Sequence, residues 1–562
     1  MSGASTSASA ASSPSVPLER GKACLRCRRR KMRCDGVRPM CAQCVRADEV
    51  ECEYTDGGAT VSQLLEQNVA HLEARIRELE GRSSESITLH DPHAAFSQAR
   101  NRSSAAGAVT GGERGHTSLG RWQIPEAVLA SFVSHAFAFG FFLNMPRFLA
   151  KLGTTSGENS VPPVLLYVVH LVGLVTLQEP QLKEQEPHIL SYLTQALSAA
   201  VSNVQSGMLL YLLQAEVLLS NYFFHHDRRL EGGYHITAAV SIVLSTNLHQ
   251  FDWSGAAQPA SGAYHLPHPA DTVEQGERIN AFWTVFNLDR CWAVSLGSQS
   301  ALARIDLLSS HILTPWPLDM SDYELGLLPE ILPGQTVPSF LSQTTIEITS
   351  DSRNSQRTKA VVLFSEAVAL AKHFAPQNPA YQARFVALDN KLEQYKQSLF
   401  QVWAMARATS VPGGQLGGDA VRPYATRCIL FTRTLVHCAA IKLHAPLQQD
   451  WDLTTSRTLS NAVQAADLLQ DLDVMTVGSV DPFTGILLSI VAQVLIRALA
   501  VAKTLRTASA TARPSEQELI VANALERVYS VMQALTATNP SAELIAHELR
   551  NIRQQHIMFQ TP

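Results

Sequence analysis

The sequence predicts a mostly α-helical chain of unequal parts: a small cysteine-rich module near the N-terminus, a short coiled coil, and a large all-α domain. Three observations carry this. Six of the nine cysteines fall between Cys24 and Cys52. Leucines then recur at seven-residue steps, Leu65, Leu72 and Leu79. From Arg121 onward, apolar residues recur with the 3.6-residue period of helices, between turns of Pro, Gly and Ser.

At 562 residues the chain is too long for one core of ordinary size. Hydrophobic residues make up 46% of it and charged ones 17%, which provides for at least one large core and excludes disorder throughout. Residues 1–19 are Ser/Ala/Pro-rich and read as disordered, because they have little to bury against the entropy of ordering. They contain no apolar leader, and cysteines so unevenly spent do not suit a disulfide-stapled secreted protein. The thiols are therefore expected to be reduced and available to metal.

Residues 20–54 form the cysteine-rich module. Between Arg20 and Arg46 stand ten Lys/Arg and the single acid Asp35, so this window carries +9 and the rest of the −4 chain carries −13. A block of that sign fits a phosphate-binding surface; a solvated basic face or a nuclear import signal is the plainer alternative. The cysteines run Cys24-x2-Cys27-x6-Cys34-x6-Cys41-x2-Cys44-x7-Cys52, two similar halves. Each half has two cysteines about one helical turn apart and a third reached after the chain doubles back. Zinc prefers four tetrahedral ligands and is well matched to thiolate. Six thiolates cannot give two separate zincs four each, and the nearest downstream histidine, His71, falls in the coiled coil. Two sulfurs shared between two metals satisfy both.

This segment resembles the fungal zinc binuclear cluster family, which holds two zinc ions on six cysteines; every cysteine position is filled, and Pro39 stands two residues before the fourth, as the family requires. The resemblance implies that Cys24 and Cys41 bridge, while Cys27, Cys34, Cys44 and Cys52 complete the two sites. It also implies double-stranded DNA as partner, with the end of the first helix over a CGG triplet and Arg30 and Lys31 nearest the bases. Residue chemistry agrees on which half faces DNA. Arg28, Arg29, Arg30, Lys31 and Arg33 lie in the first half, whereas Arg46 in the second is followed by Asp48, Glu49 and Glu51. Guanine O6 and N7 accept hydrogen bonds, so Arg or Lys suits them as reader. Arg28, Arg29 and Arg33 are expected to hold phosphates, which fixes register without reading sequence. A protein-interaction or redox- and ligand-sensing module without sequence-specific DNA contact is the competing reading.

Residues 55–61 read as a linker and 62–80 as a coiled-coil helix. With Leu65, Leu72 and Leu79 at d, positions a are Ser62, Val69 and Ile76, and Arg75 at g faces Glu80 at the next e of a parallel partner. The seam Leu65, Val69, Leu72, Ile76 and Leu79 thus predicts a homodimer that reads paired triplets. Residues 81–120, rich in Ser, Gly and Ala without a period, read as a second, disordered linker.

Helices are expected over Ser206–Phe224, Arg278–Val294, Thr358–Phe374, Ala425–Lys442, Ser460–Leu472 and Glu516–Leu535. The apolar stretches 164–177 and 485–502 fall short of the about 20 uninterrupted apolar residues a span needs, so they read as buried helices and no membrane partner is expected. Glu277-Arg278-Ile279-Asn280-Ala281-Phe282-Trp283, Leu288-Asp289-Arg290 and Leu296-Gly297 are similar to the signature of the fungal-specific transcription factor domain, or middle homology region. The resemblance covers roughly 121–440, with 441–562 a helical continuation. In the run Leu209 to Phe224, Gln214 is followed by Ala215-Glu216, while the pattern of the run is alike. The resemblance implies a helical regulatory region, answering in some members to a small-molecule effector, in a nuclear protein that addresses the transcription machinery.

Asp289 and Arg290 read as a buried ion pair. His225-His226-Asp227 read as a surface loop, because adjacent residues do not share a helix face as metal ligands must. Cys291, Cys428 and Cys438 read as buried hydrophobes. The acidic-hydrophobic run Asp319 to Leu332 suits a loop on the helical domain as well as an activation segment. No phosphate loop or nucleophile elbow stands out, so the chain reads as a non-enzyme.

Overall fold

The structure, a computed structural model, describes residues 22–47, 52–54, 70, 124–152, 160–177, 179–203, 205–250, 264, 266–302, 312–329, 336–343, 351–409, 421–447, 456–470, 472, 478–508, 513–538 and 542–560. Apart from Ala70, which is helical, the expected coiled coil 62–80 lies outside the described residues, as do the segments 1–19, 55–61 and 81–120. The chain divides into two compact units, Met1–Thr117 and Ser118–Pro562. Among the described residues every regular element is a helix.

Among its described residues the first unit holds, besides the helical Ala70, two five-residue helices, α1 (Leu25–Arg29) and α2 (Ala42–Arg46). Helices this short do not form on their own, since nucleation costs more than one turn returns. Their only buried residues are Cys27 and Cys44. Cysteines supply the core of this unit, with Ala23, Met40 and Tyr54 packed against it.

The second unit is built on α3 (Glu126–His135), α4 (Met145–Leu152), α5 (Pro163–Thr176), α6 (Pro180–Lys183), α7 (Glu186–Ser202), α8 (Leu209–His225), α9 (Arg229–Ser245), α10 (Thr272–Ser295), α11 (Met320–Glu324), α12 (Thr336–Ser342), α13 (Arg353–Lys372), α14 (Pro379–Thr409), α15 (Val421–His444), α16 (Arg457–Asp467), α17 (Phe483–Ala508), α18 (Glu516–Thr538) and α19 (Glu543–Gln560). One hydrophobic core runs from Val128 on α3 to Ile552 on α19. All six expected helices are there, with ends displaced by up to six residues.

Local chemistry sets the helix starts. Asp271 caps α10 by accepting from the Glu274 amide at 2.9 Å, and Ser352 caps α13 through the Ser355 amide at 3.0 Å. Prolines open α5, where a missing N–H costs nothing. Helix α5 is buried almost all round, as its uniformly apolar sequence demands. At Gly173 it lies against α3 so closely that an added Cβ would stand 2.2 Å from the Val128 carbonyl oxygen. Among the described residues, two segments, Thr426–Leu447 and Phe483–Thr507, are long and apolar enough to cross a membrane, yet 78% and 72% of their apolar windows are buried within this unit.

Helix α8 is the organising strut. It packs on α5, α9 and α10, and its polar residues tie down the turn after α3. The Gln214 carbonyl accepts from the amides of Phe142 at 2.7 Å and Leu143 at 3.3 Å, while its Nε2 donates to the Gly140 carbonyl. Asn221 Nδ2 donates to the Phe139 carbonyl at 3.0 Å. Next to the C-terminal end of α8, Phe224 stacks on Trp292 of α10 with centroids 3.5 Å apart and rings 3° from parallel.

Two local expectations are corrected. His225-His226-Asp227 is not a surface loop: His225 is the buried last residue of α8 and stacks on Phe139 at 4.3 Å. Asp227 takes a left-handed φ of 55° and pairs with Arg229 and His547. Nor do Asp289 and Arg290 form the expected ion pair. The Asp289 carboxylate accepts from the Ser300 hydroxyl and from the amides of Ala301 at 2.8 Å and Leu302 at 3.2 Å, holding the turn after α10. The Arg290 guanidinium lies 5.2 Å from the Phe286 ring centroid. Residues 289 and 290 point about 100° apart on a helix, so each side chain meets different neighbours.

Cys291, Cys428 and Cys438 are buried. Asp319 opens the short helix α11 in a reciprocal cap with Asp322, and Tyr323 is buried, so residues 319–324 belong to the folded domain. Residues 330–332 of the acidic-hydrophobic run lie outside the described residues.

Candidate zinc cluster and DNA-facing module

Cys24 and Cys41 occupy equivalent places, one residue before a helix. Each uses its own sulfur as the cap: Cys24 Sγ accepts from the Cys27 amide and Cys41 Sγ from the Cys44 amide, both at 3.4 Å. The x2 spacing therefore brings the second cysteine of each half back over the first. Cys34 and Cys52 then return from the following loops. Cys52 Sγ accepts from the Cys41 amide at 3.3 Å, and the Leu25 amide donates to the Glu53 carbonyl at 2.9 Å, closing the second loop onto the start of α1.

The six sulfurs form two groups of four that share two members. Cys24, Cys27, Cys34 and Cys41 make one group and Cys24, Cys41, Cys44 and Cys52 the other, each with its sulfurs within 4.8 Å of one another. Separations are 3.9 Å for Cys24–Cys41, 3.8 Å for Cys24–Cys44 and 3.7 Å for Cys27–Cys41. Thiolates bound tetrahedrally to zinc at about 2.3 Å stand about 3.8 Å apart, so the spacing fits two tetrahedra joined along the Cys24–Cys41 edge. Burial pushes the thiols of Cys24, Cys27, Cys41 and Cys44 up. Against that same push, backbone hydrogen bonds involving Cys24 and Gly36 hold Cys34 at about 7, and the bond from the Cys41 amide lowers Cys52. Gathering six sulfurs as thiolates therefore needs cationic charge among them, which two zinc ions supply when bound.

Two residues that the spacing argument missed brace this cage. The exposed Asp35 carboxylate accepts from the Ala42 amide with both oxygens at 3.1 Å, a second cap on α2. Tyr54 donates to the Val37 carbonyl at 2.8 Å, and the Arg38 guanidinium lies 5.0 Å from its ring centroid. An acid followed seven residues later by a helix start carries only a weak sequence signal, and Tyr54 none.

The basic residues lie outside the cage. Arg28, Arg29, Arg30, Lys31 and Arg33 are all exposed, around the C-terminal end of α1. That end is a Schellman turn: the Met32 amide donates to the Cys27 carbonyl at 2.9 Å and the Lys31 amide to the Arg28 carbonyl at 3.2 Å. The turn needs a left-handed residue, usually glycine, and here it is Lys31 at φ 53°. In the second half Arg46 is exposed at the end of α2; Asp48, Glu49 and Glu51 lie outside the described residues.

Comparisons with known proteins agree with this geometry. The model of the fungal Zn(2)-Cys(6) binuclear cluster domain matches residues 22–57, and that of the fungal specific transcription factor domain matches residues 129–326. The transcriptional activator protein acu-15 of Neurospora crassa is 47% identical over 66 residues, which is 10% of this chain and 7% of that protein. No solved structure matches. A six-cysteine cage whose segment matches the two-zinc cluster domain, followed in the chain by a helical unit that carries the fungal specific transcription factor domain, supports a fungal zinc binuclear cluster transcription factor.

Proposed function

We propose that the protein regulates RNA polymerase II transcription in the nucleus by reading paired CGG triplets as a homodimer. In this reading Cys24, Cys27, Cys34, Cys41, Cys44 and Cys52 hold two zinc ions, with Cys24 and Cys41 shared. Arg30 and Lys31 meet guanine O6 and N7 in the major groove, and Arg28, Arg29 and Arg33 hold phosphates. The seam Leu65, Val69, Leu72, Ile76 and Leu79 pairs two chains. The linker 55–61 is short, so the triplets stand at a defined spacing. The helical unit, residues 121–440 with their continuation 441–562, modulates the outcome and answers to a small-molecule effector.

The observation that carries the reading is Lys31. A lysine in a left-handed turn position costs about 1 kcal/mol that glycine avoids, and such local strain is retained where the side chain has a task. Here it projects from the helix end amid four exposed arginines. Enrichment of a randomised duplex pool on the zinc-loaded full chain tests the proposal. Recovery of two CGG triplets at one preferred spacing is expected; an unenriched pool means that the basic run is only an electrostatic patch, and favours the protein-interaction reading.

A further inference from the structure

A cavity of about 190 Å³ lies inside the second unit, between the turn after α3 and helices α8, α10, α13, α15 and α17. Its polar lining is unusual for an interior. Asn221 and Asn280, 3% and 7% exposed, each leave a buried side-chain oxygen without a hydrogen bond, and so does Asn287. The Asn221 assignment is fixed by its other end, because Nδ2 already donates to the carbonyls of Phe139 and Val217. Arg357, also in the lining, pairs with Asp481, yet its Nε has no acceptor. A buried acceptor without a partner costs about 1–3 kcal/mol, and three asparagines around one hole are an expensive way to line an empty space.

The chemistry of an occupant follows from this lining. Arg357 and Asp481 cancel, so the cavity wants no net charge. The orphan groups are three acceptors and one donor, so the occupant brings mainly O–H or N–H donors. Asn280 and Asn287 are seven residues apart on α10, roughly 10 Å along the axis, too far for one ammonium group to reach both. Two hydrogen bonds of about 2.8 Å leave roughly 5 Å between the donors, the width of a six-membered ring carrying hydroxyls at opposite ends. Aromatic side chains, Trp283 and Phe431 among them, line the cavity and supply apolar contact for such a ring. The volume is below the about 300–1,000 Å³ of drug-sized sites, which limits the occupant to a single small ring.

We propose that this cavity binds an uncharged polyhydroxylated molecule of monosaccharide size, held between Asn280 and Asn287 with Asn221 and the Arg357 Nε as further partners. The inference deepens the reading of the helical unit as effector-responsive. It is tested by a property of that unit alone, so it can fail while DNA recognition stands, and the reverse.

The test is thermal unfolding of the full chain with D-glucose, D-xylose or sorbitol at millimolar concentration, against L-phenylalanine and citrate as zwitterionic and anionic controls, for wild type, Asn280→Leu and Asn287→Leu. At least one polyol is expected to raise the wild-type midpoint in a saturable way. Both leucine variants should lose that shift; without ligand, Asn280→Leu should unfold at or above the wild-type midpoint, because an orphan acceptor has been replaced by an apolar group, whereas Asn287→Leu also removes the 3.0 Å bond that Asn287 Nδ2 donates to Thr358 Oγ1. No shift with any of the three polyols overturns the proposal. A shift kept in both variants also does so, since it is then exclusion of the solute from the protein surface. A larger effect from either control, or a lower midpoint for ligand-free Asn280→Leu, overturns it as well.

Discussion

Cys24 and Cys41 stand 3.9 Å apart, each capping its own five-residue helix with its own sulfur and each belonging to both four-sulfur groups. Those two sulfurs are the hinge on which the two halves of the module close. Replacing either removes a ligand and a helix cap at once. Cys41→Ala should reduce the zinc content of the full chain from two to near zero, whereas Cys52→Ala, which touches one group only, should retain more. Metal analysis after gel filtration reads this; equal retention by both variants would contradict shared ligation.

The turn at Lys31 separates folding from recognition. Lys31→Gly relieves a left-handed lysine and should leave zinc retention against a chelator equal or improved, by about 0.5–1 kcal/mol. The same variant should lose about 1–3 kcal/mol of preference for CGG over scrambled duplexes. Arg33→Ala, by contrast, should weaken binding to all duplexes alike and lower the salt slope by about one. Duplex titrations at several salt concentrations distinguish the two behaviours.

Asp35 gives a finer test of the cage. Asp35→Ala removes both acceptors of the Ala42 amide, and lost helix caps cost about 1 kcal/mol. The variant should release zinc faster to a competing chelator while binding DNA normally when zinc is in excess. An unchanged release rate would mean that the cap adds nothing.

Gly140 sits at φ 78° where the turn after α3 meets α8, and an added Cβ would lie 2.9 Å from Val217 Cγ1. Alanine there meets both a left-handed backbone and a packed neighbour. Gly140→Ala should destabilise the helical unit by about 2 kcal/mol or more, seen as a lower midpoint in urea.

His437 makes stability fall in acid. It is buried, its Nδ1 lies 3.1 Å from Asn461 Oδ1, and burial lowers it from 6.5 to about 4. The unfolded chain takes up this proton near pH 6.5, while the folded one refuses it until about pH 4. The contribution is therefore complete above about pH 6.5 and is lost as pH falls toward 4, by up to about 3 kcal/mol. Half-buried His135 and buried His170 shift the same way. His437→Gln should flatten the fall between pH 6.5 and 4; an unchanged slope would place the proton uptake elsewhere.

The zinc module was legible because metal ligands must recur at fixed spacing, and that spacing survives in one dimension. Helix periodicity likewise exposed α8, α10, α13, α15, α16 and α18. It did not single out α14, the 31-residue helix Pro379–Thr409, whose apolar residues are split between buried Leu392 and Tyr395 and exposed Val386 and Phe400. Local reading also misjudged His225 and Asp289, since the partner of each lies outside its own helix: Phe139 in one case, Ser300 in the turn after α10 in the other. The orphan asparagines are invisible in sequence for the same reason, as asparagine on a helix carries no mark of what faces it.

The central claim, zinc-dependent reading of CGG triplets, is tested most directly by titrating the full chain with duplexes bearing two triplets or a scrambled pair, in zinc and in chelator. The account predicts tight binding only for the paired triplets with zinc, and loss of all discrimination in chelator. Equal affinity for both duplexes, or binding that survives metal removal, would contradict it.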